Sequence, residues 1–184
     1  EDEISELRDE KEGRVEKIRN STITDVSVVK REDYVQYPTD QEIEKLSGEY
    51  LEAKKIKRDV KEQFMERNKK LQSKITVLTK ARNAEFEILS GSRKEKSVLI
   101  HEIQKNGNLS NTKLLVSIPK DLAEDDSQIN FITENTVVKS DPMIEYDLEE
   151  VGGQIIYSLK NQASLKDLKE IKIMLVSDPA DIVA

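Results

Sequence analysis

The sequence predicts an α+β fold in which a long coiled-coil-like α-helix precedes a C-terminal antiparallel β-sandwich. From Thr39 to Gly91 there is no proline and, before the end, only Gly48, while apolar residues recur every three or four positions. Beyond Gly91 the apolar period changes to two, in short runs. Turn signals separate those runs at Asn106-Gly107-Asn108, Pro119-Lys120-Asp121, Asp141-Pro142 and Gly152-Gly153. The expected divisions are a charged segment with strands over 1–38, the amphipathic helix over 39–91 and the sandwich over 92–184.

Residues Glu1 to Glu12 are almost all charged, with Ile4 and Leu7 as a thin apolar pair, and predict a short helix ending near Gly13. Val15 to Val29 is rich in β-branched residues and is followed by Tyr34, Val35 and Tyr37 before Pro38. It reads as two short strands, broken around Asn20 or over Lys30 to Asp33. A strand with both edges bare is unstable, so these strands must pair with the β material after the helix or with another chain.

The helix expectation rests on the seam Ile43, Leu46, Tyr50, Ala53, Ile56, Val60, Phe64, Leu71, Ile75, Leu78, Phe86 and Leu89, whose mean step is near the coiled-coil period. Pro38, Thr39 and Glu42 form a capping-box start, and Gly91 a left-handed stop. At about 1.5 Å per residue such a helix would span roughly 75 Å, so part of it must project or pack on a partner. The proposed association stripe is Leu46, Tyr50, Val60, Phe64, Leu71, Ile75 and Leu78. Arg67 and Asn68, and later Ala81 and Arg82, weaken the seam; a bend near Asn68 is the rival, but Glu66 to Lys70 has no glycine or proline to turn on. The plainer alternative is a helix packed along the chain's own β structure.

The strands expected after Gly91 are Lys96 to Gln104, Thr112 to Ile118, Gln128 to Thr133, Asn135 to Lys139, Met143 to Leu148, Gln154 to Leu159 and Ile171 to Val176, with a helical turn at Leu165 to Glu170. Short strands at this spacing point to a sandwich.

Within this region Ile118-Pro119-Lys120, Leu122-Ala123-Glu124, Ile129 with Phe131, Asp141-Pro142 with Ile144-Glu145-Tyr146, and Ile156-Tyr157-Ser158 follow one another in a recognisable order. The segment Leu114 to Lys160 resembles the small immunoglobulin-like (CARDB-type) β-sandwich module of archaeal cell-surface and secreted proteins. The resemblance implies an immunoglobulin-like sandwich and an exterior location. It carries no reactive group and does not include the helix. One departure is the shortened linker Glu149-Glu150-Val151-Gly152-Gly153 before the last strand of the module.

Charged residues make up 36 % and aromatic residues 4 % of the 184 positions, which suits a thin, well-solvated body. A net charge of −7 argues against a nucleic-acid partner, since phosphate neutralisation needs a basic surface, and Lys54 to Lys74 reads as a solvated helix face. There is no cysteine, so disulfides and thiolate metal sites are excluded, and no apolar run is long enough to span a bilayer. The chain starts at Glu1 without an initiator methionine, which suggests a processed product or excised segment, with any membrane anchor outside it.

A serine nucleophile needs a base, and His101 is the sole imidazole, with no motif placing a partner beside it; a structural histidine is the better reading. Glu124-Asp125-Asp126 and the pair Asp178 and Asp181 lack calcium-loop spacing and read as solvated acidic turns. Gly152-Gly153 is followed by neither lysine nor helix and reads as a hairpin rather than a phosphate loop. Asn20-Ser21-Thr22 and Asn108-Leu109-Ser110 match the glycosylation pattern. No catalytic residue, cofactor or metal is therefore expected. The expected function is structural and interactive: the extracellular or cell-surface part of an archaeal protein, forming homo-oligomers or binding partner helices through the long helix. The alternatives are a cytoplasmic coiled-coil adaptor with a small head and a glycan-binding sandwich.

Overall fold

The computed structural model describes residues 2–56, 60–107 and 109–180, with side chains given from Glu10 onward. In chain order the elements are α1 (Asp2–Ser21), β1 (Ile23–Val35), α2 (Asp40–Ala53), α3 (Lys61–Leu71), β2 (Ile75–Ile88), β3 (Arg93–Lys105), β4 (Thr112–Ser117), β5 (Ile129–Phe131), β6 (Thr136–Lys139), β7 (Met143–Asp147), β8 (Gln154–Leu159), α4 (Leu165–Leu168) and β9 (Lys172–Ser177). The strands form a five-stranded sheet in the order β1-β2-β3-β8-β5 and a four-stranded sheet in the order β6-β7-β4-β9. Every pairing is antiparallel.

The long helix is not formed. Thr39 and Glu42 do make the expected capping box, with Thr39 N donating to Glu42 Oε2 at 2.8 Å and Glu42 N to Thr39 Oγ1 at 3.3 Å. The helix they start ends at Ala53, where Lys54 caps it and Lys55 takes a left-handed conformation at φ 57°. After α3 the chain changes period: Ile75, Val77, Thr79, Ala81 and Asn83 alternate onto one buried face of β2, and Ile75 and Leu78, neighbours in the helical seam, turn to opposite faces. Pairing with β1 on one side and β3 on the other decides in favour of strand. Gly91, at φ 83°, turns the β2–β3 hairpin and stops no helix. The division at 39–91 therefore cuts through the five-stranded sheet.

The amino-terminal expectation is corrected as well. One helix runs through Gly13 to Ser21, and a single strand replaces the two short ones. The hydroxyl of Thr22 donates to Ile18 O at 2.7 Å and closes that helix. Beyond Gly91, each expected strand has a counterpart among β3 to β9.

Two cores stack in layers. Between the sheets, Val77, Ala81, Leu99, Ile155, Tyr157 and Leu159 meet Leu114, Val116, Ile144, Tyr146, Ile173 and Leu175. On the other face of the four-stranded sheet, Leu115, Met143, Met174 and Val176 pack against Ile43, Leu46, Tyr50, Leu51 and Phe64 from α2 and α3. The result is three layers, sheet, sheet and helix pair, in a mostly β protein. Because β4 and β9 are covered on both faces, their sequences run apolar without alternation, as in Leu114-Leu115-Val116 and Ile173-Met174-Leu175-Val176.

Candidate functional site

The residues proposed as an association stripe are spread over three elements and the residue before one of them. Leu46 and Tyr50 are on α2, Phe64 and Leu71 on α3, Ile75 and Leu78 on β2, and Val60 precedes α3. Leu46, Tyr50, Phe64, Leu71 and Ile75 are buried in the chain's own cores, and Tyr50 stacks on Phe64 with ring centroids 5.9 Å apart. The plainer reading, one helix packed along the chain's own β structure, is not the arrangement found either: α2 and α3 pack on the four-stranded sheet, and Ile75 and Leu78 belong to a strand.

Polar groups inside the sandwich are structural. His101 Nδ1 lies 2.9 Å from Thr79 Oγ1 and His101 Nε2 lies 3.0 Å from Tyr157 Oη, and all three residues are fully buried. Burial pushes the His101 pKa down to about 3 and raises that of Tyr157 well above its ordinary value. A neutral imidazole sealed between two sheets can order its neighbours, but no substrate reaches it.

The second polar cluster joins the helix layer to the sheet. Glu145, 4 % exposed on β7, accepts from Tyr50 Oη at 2.7 Å and is paired with Lys113 Nζ at 2.5 Å and Lys54 Nζ at 3.1 Å. Burial alone would raise the carboxyl pKa; the contacts from Lys113, Tyr50 and Lys54 outweigh it and hold the pKa below the ordinary value. A groove of about 690 Å³ opens beside this cluster, lined by Tyr50, Lys54, Ile56, Lys113, Asp178, Pro179 and Ala180. Both lysines already face Glu145, so among the described residues the groove presents no free cation for an anionic ligand.

The acidic segments are turns. Asp125 accepts from Ser127 N at 2.8 Å, and Asp178 accepts from Ala180 N at 2.8 Å; Asp181 lies outside the described residues. No group of three or more His, Cys, Asp or Glu that could hold a metal occurs among the described residues. Asn20 is exposed at the end of α1, and Asn108 lies outside the described residues. No helix among the described residues is long and apolar enough to cross a membrane.

The sheet edges differ sharply. At the edge of β9, Gln72, the residue after α3, accepts from Leu175 N and donates to Leu175 O, both at 2.9 Å, and Asn68 of α3 accepts from Ser177 N at 3.0 Å. These side chains occupy the positions a neighbouring strand would take. The edge strands β5 and β6 are only three and four residues long. β1 has 13 residues, and α4 covers just its end: Tyr34 Oη donates to Leu168 O at 3.1 Å, and Lys169 pairs with Glu32 at 2.5 Å. From Ile23 to Arg31 the edge is open among the described residues, and Val26, Val28 and Val29 are 51 %, 55 % and 56 % exposed. A long apolar edge is a template for strand addition unless it is blocked.

The β1 ladder has irregularities between Ile23 and Asp25 and between Val28 and Lys30. Val26 and Val28 lie opposite Phe86 and Ala84 on the outer face of the sheet, while Ser27 and Lys30 lie opposite Glu85 and Asn83 on the inner face. Sequence reasoning had noted that β1 needs a partner but not that one of its edges stays free. The signal was Val26, Val28 and Val29 in a stretch otherwise polar from Thr24 to Asp33.

The chain matches no protein family, no curated protein and no solved structure.

Proposed function

We propose that this chain is a non-enzymatic structural and interaction protein, the extracellular part of an archaeal surface protein, which associates through the open edge of β1. The observation that carries the interaction reading is the contrast between edges: β9 is closed by Asn68 and Gln72, whereas Ile23–Arg31 is long, apolar and bare among the described residues. Main-chain hydrogen bonds along such an edge supply affinity, and alternate side chains supply selectivity. The non-enzymatic part is supported by the burial of His101 and by the pairing of Glu145 with Lys54 and Lys113. The surface location rests on the module pattern, whose Ile129 and Phe131 lie in β5, Ile144-Glu145-Tyr146 in β7 and Ile156-Tyr157-Ser158 in β8.

The test is fluorescence anisotropy with a labelled peptide copying Ile23–Arg31, used as a probe strand. Saturable binding is expected, with loss in the Val26→Lys/Val28→Lys variant, whose altered side chains are exposed and leave the circular dichroism spectrum unchanged. Absence of binding at millimolar peptide, or equal binding by the variant, removes the reading.

A further inference from the structure

We infer that the strand which covers this edge is β1 of a second copy of the chain, paired antiparallel about a two-fold axis at Ser27. The inference rests on the interaction reading above and names its partner. A two-fold axis perpendicular to a sheet keeps outer residues on the outer face and inner residues on the inner face, so only registers that match face to face are allowed.

The open window itself has that symmetry. It begins where β1 starts, at Ile23, and ends at Arg31, just before Glu32 is held by Lys169; Ser27 is its midpoint. With the axis there, Val26 and Val28, both on the outer face, lie opposite each other twice. On the inner face Asp25 lies opposite Glu87 and Lys30 opposite Asn83, while Thr24 and Val29 have no partner in the β2 register. With those two residues taken up by the irregularities, Asp25 of each copy falls opposite Lys30 of the other. The pairing thus sets apolar against apolar and acid against base with no like charges opposed. An axis at Val29 would bring the two Asp25 residues toward the two Asp33 residues, and one at Val28, counted with the same irregularities, would set Asp25 against Glu32 with like charges opposed. The partner's α4, which covers its own β1 from Glu32 on, stays beyond the end of the shared window. The two five-stranded sheets then form one continuous sheet across the interface.

The chain has no cysteine, so introduced thiols report pairing directly. In the intact chain, Ser27→Cys is expected to give a covalent dimer under mild oxidation, since directly opposed residues fall within disulfide reach. Val26→Cys and Val28→Cys are each expected to form no covalent dimer alone and to cross-link when mixed. In sedimentation equilibrium, Asp25→Lys or Lys30→Asp alone opposes like charges in both pairs and is expected to raise the dimer Kd about ten-fold, and the double swap to restore it. A monomer at every concentration, or Ser27→Cys cross-linking no faster than the exposed control Ser90→Cys, overturns the inference. The peptide measurement separately decides whether the edge accepts strands at all: peptide binding by a monomeric chain leaves the interaction reading standing and rejects the second copy.

Discussion

His101 Nε2 sits 3.0 Å from the hydroxyl of Tyr157, with both residues sealed between the two sheets. The imidazole is neutral there because burial lowers its pKa from 6.5 to about 3. The unfolded chain takes up a proton near pH 6.5 and the folded chain does not, so the unfolded state binds more protons as pH falls. Stability is therefore full above pH 6.5 and is lost toward pH 3, by at most about 1.4 kcal/mol per pH unit from this group. Urea denaturation at pH 7, 6 and 5 is expected to show a steeper decline for the wild type than for His101→Gln. Equal slopes would mean that His101 titrates freely in the folded state.

Glu145 holds the helix layer onto the four-stranded sheet through Tyr50, Lys54 and Lys113. Glu145→Ala leaves two partly exposed lysines and a buried hydroxyl without their acceptor. The expected loss is about 2 kcal/mol, below the usual cost for a wholly buried pair because the lysines keep some water. Tyr50→Phe, which removes one charge-assisted hydrogen bond, should cost about 1.5 kcal/mol. Denaturant midpoints at pH 7 measure both, and a Glu145→Ala protein as stable as wild type would remove this role.

Asn68 and Gln72 act as edge caps. Gln72→Ala uncovers the N–H and C=O of Leu175, and a loss of about 1–2 kcal/mol is expected together with faster aggregation, because a second sheet edge becomes available. Asn68→Leu keeps the volume but strips Ser177 N of its acceptor and should cost more, since the site is fully buried. Light scattering during incubation at fixed protein concentration would show the aggregation; an unchanged signal for Gln72→Ala would mean the edge is protected by other means.

The two large aromatic residues Phe64 and Tyr146 should respond in opposite ways. Phe64→Ala empties a site between α2, α3 and the sheet and is expected to cost about 3–5 kcal/mol without releasing a subunit. Tyr146→Phe removes a buried hydroxyl that has no hydrogen-bond partner among the described residues, so it should be neutral or slightly stabilising. Thermal unfolding and solution mass together check both. A Phe64→Ala protein with native stability but half the wild-type mass would restore the seam to the role of an interface.

Much of the β material is legible in the sequence, because turn residues and period-two runs after Gly91 are local signals. The open edge was half legible: the apolar group Val26, Val28 and Val29 was visible, but which side of β1 stays bare depends on β2 arriving from beyond α3. The caps Asn68 and Gln72 could not be read as caps, since their acceptors and donors, Leu175 and Ser177, lie over a hundred positions away. Asn68 looked like a defect in a helical seam, and its partner strand shows it to be a stop for β pairing.

By itself the sequence determined the capping box at Thr39 and Glu42, the turn at Gly152-Gly153, though that turn crosses between the two sheets and closes no hairpin, and the absence of cysteine chemistry. Each of these depends on residues a few positions apart and on backbone preferences that act locally. Tertiary structure alone decided that the stretch from Thr39 to Gly91 becomes two helices and a strand. Ile75 and Leu78, three positions apart, suit a helical seam, while Ile75, Val77, Thr79 and Ala81 suit one face of a strand, and at this length the local preference is weak. Hydrogen bonds to β1 and β3 and burial against the opposite sheet outweigh it, and of those partners β1 and the opposite sheet are distant in the chain.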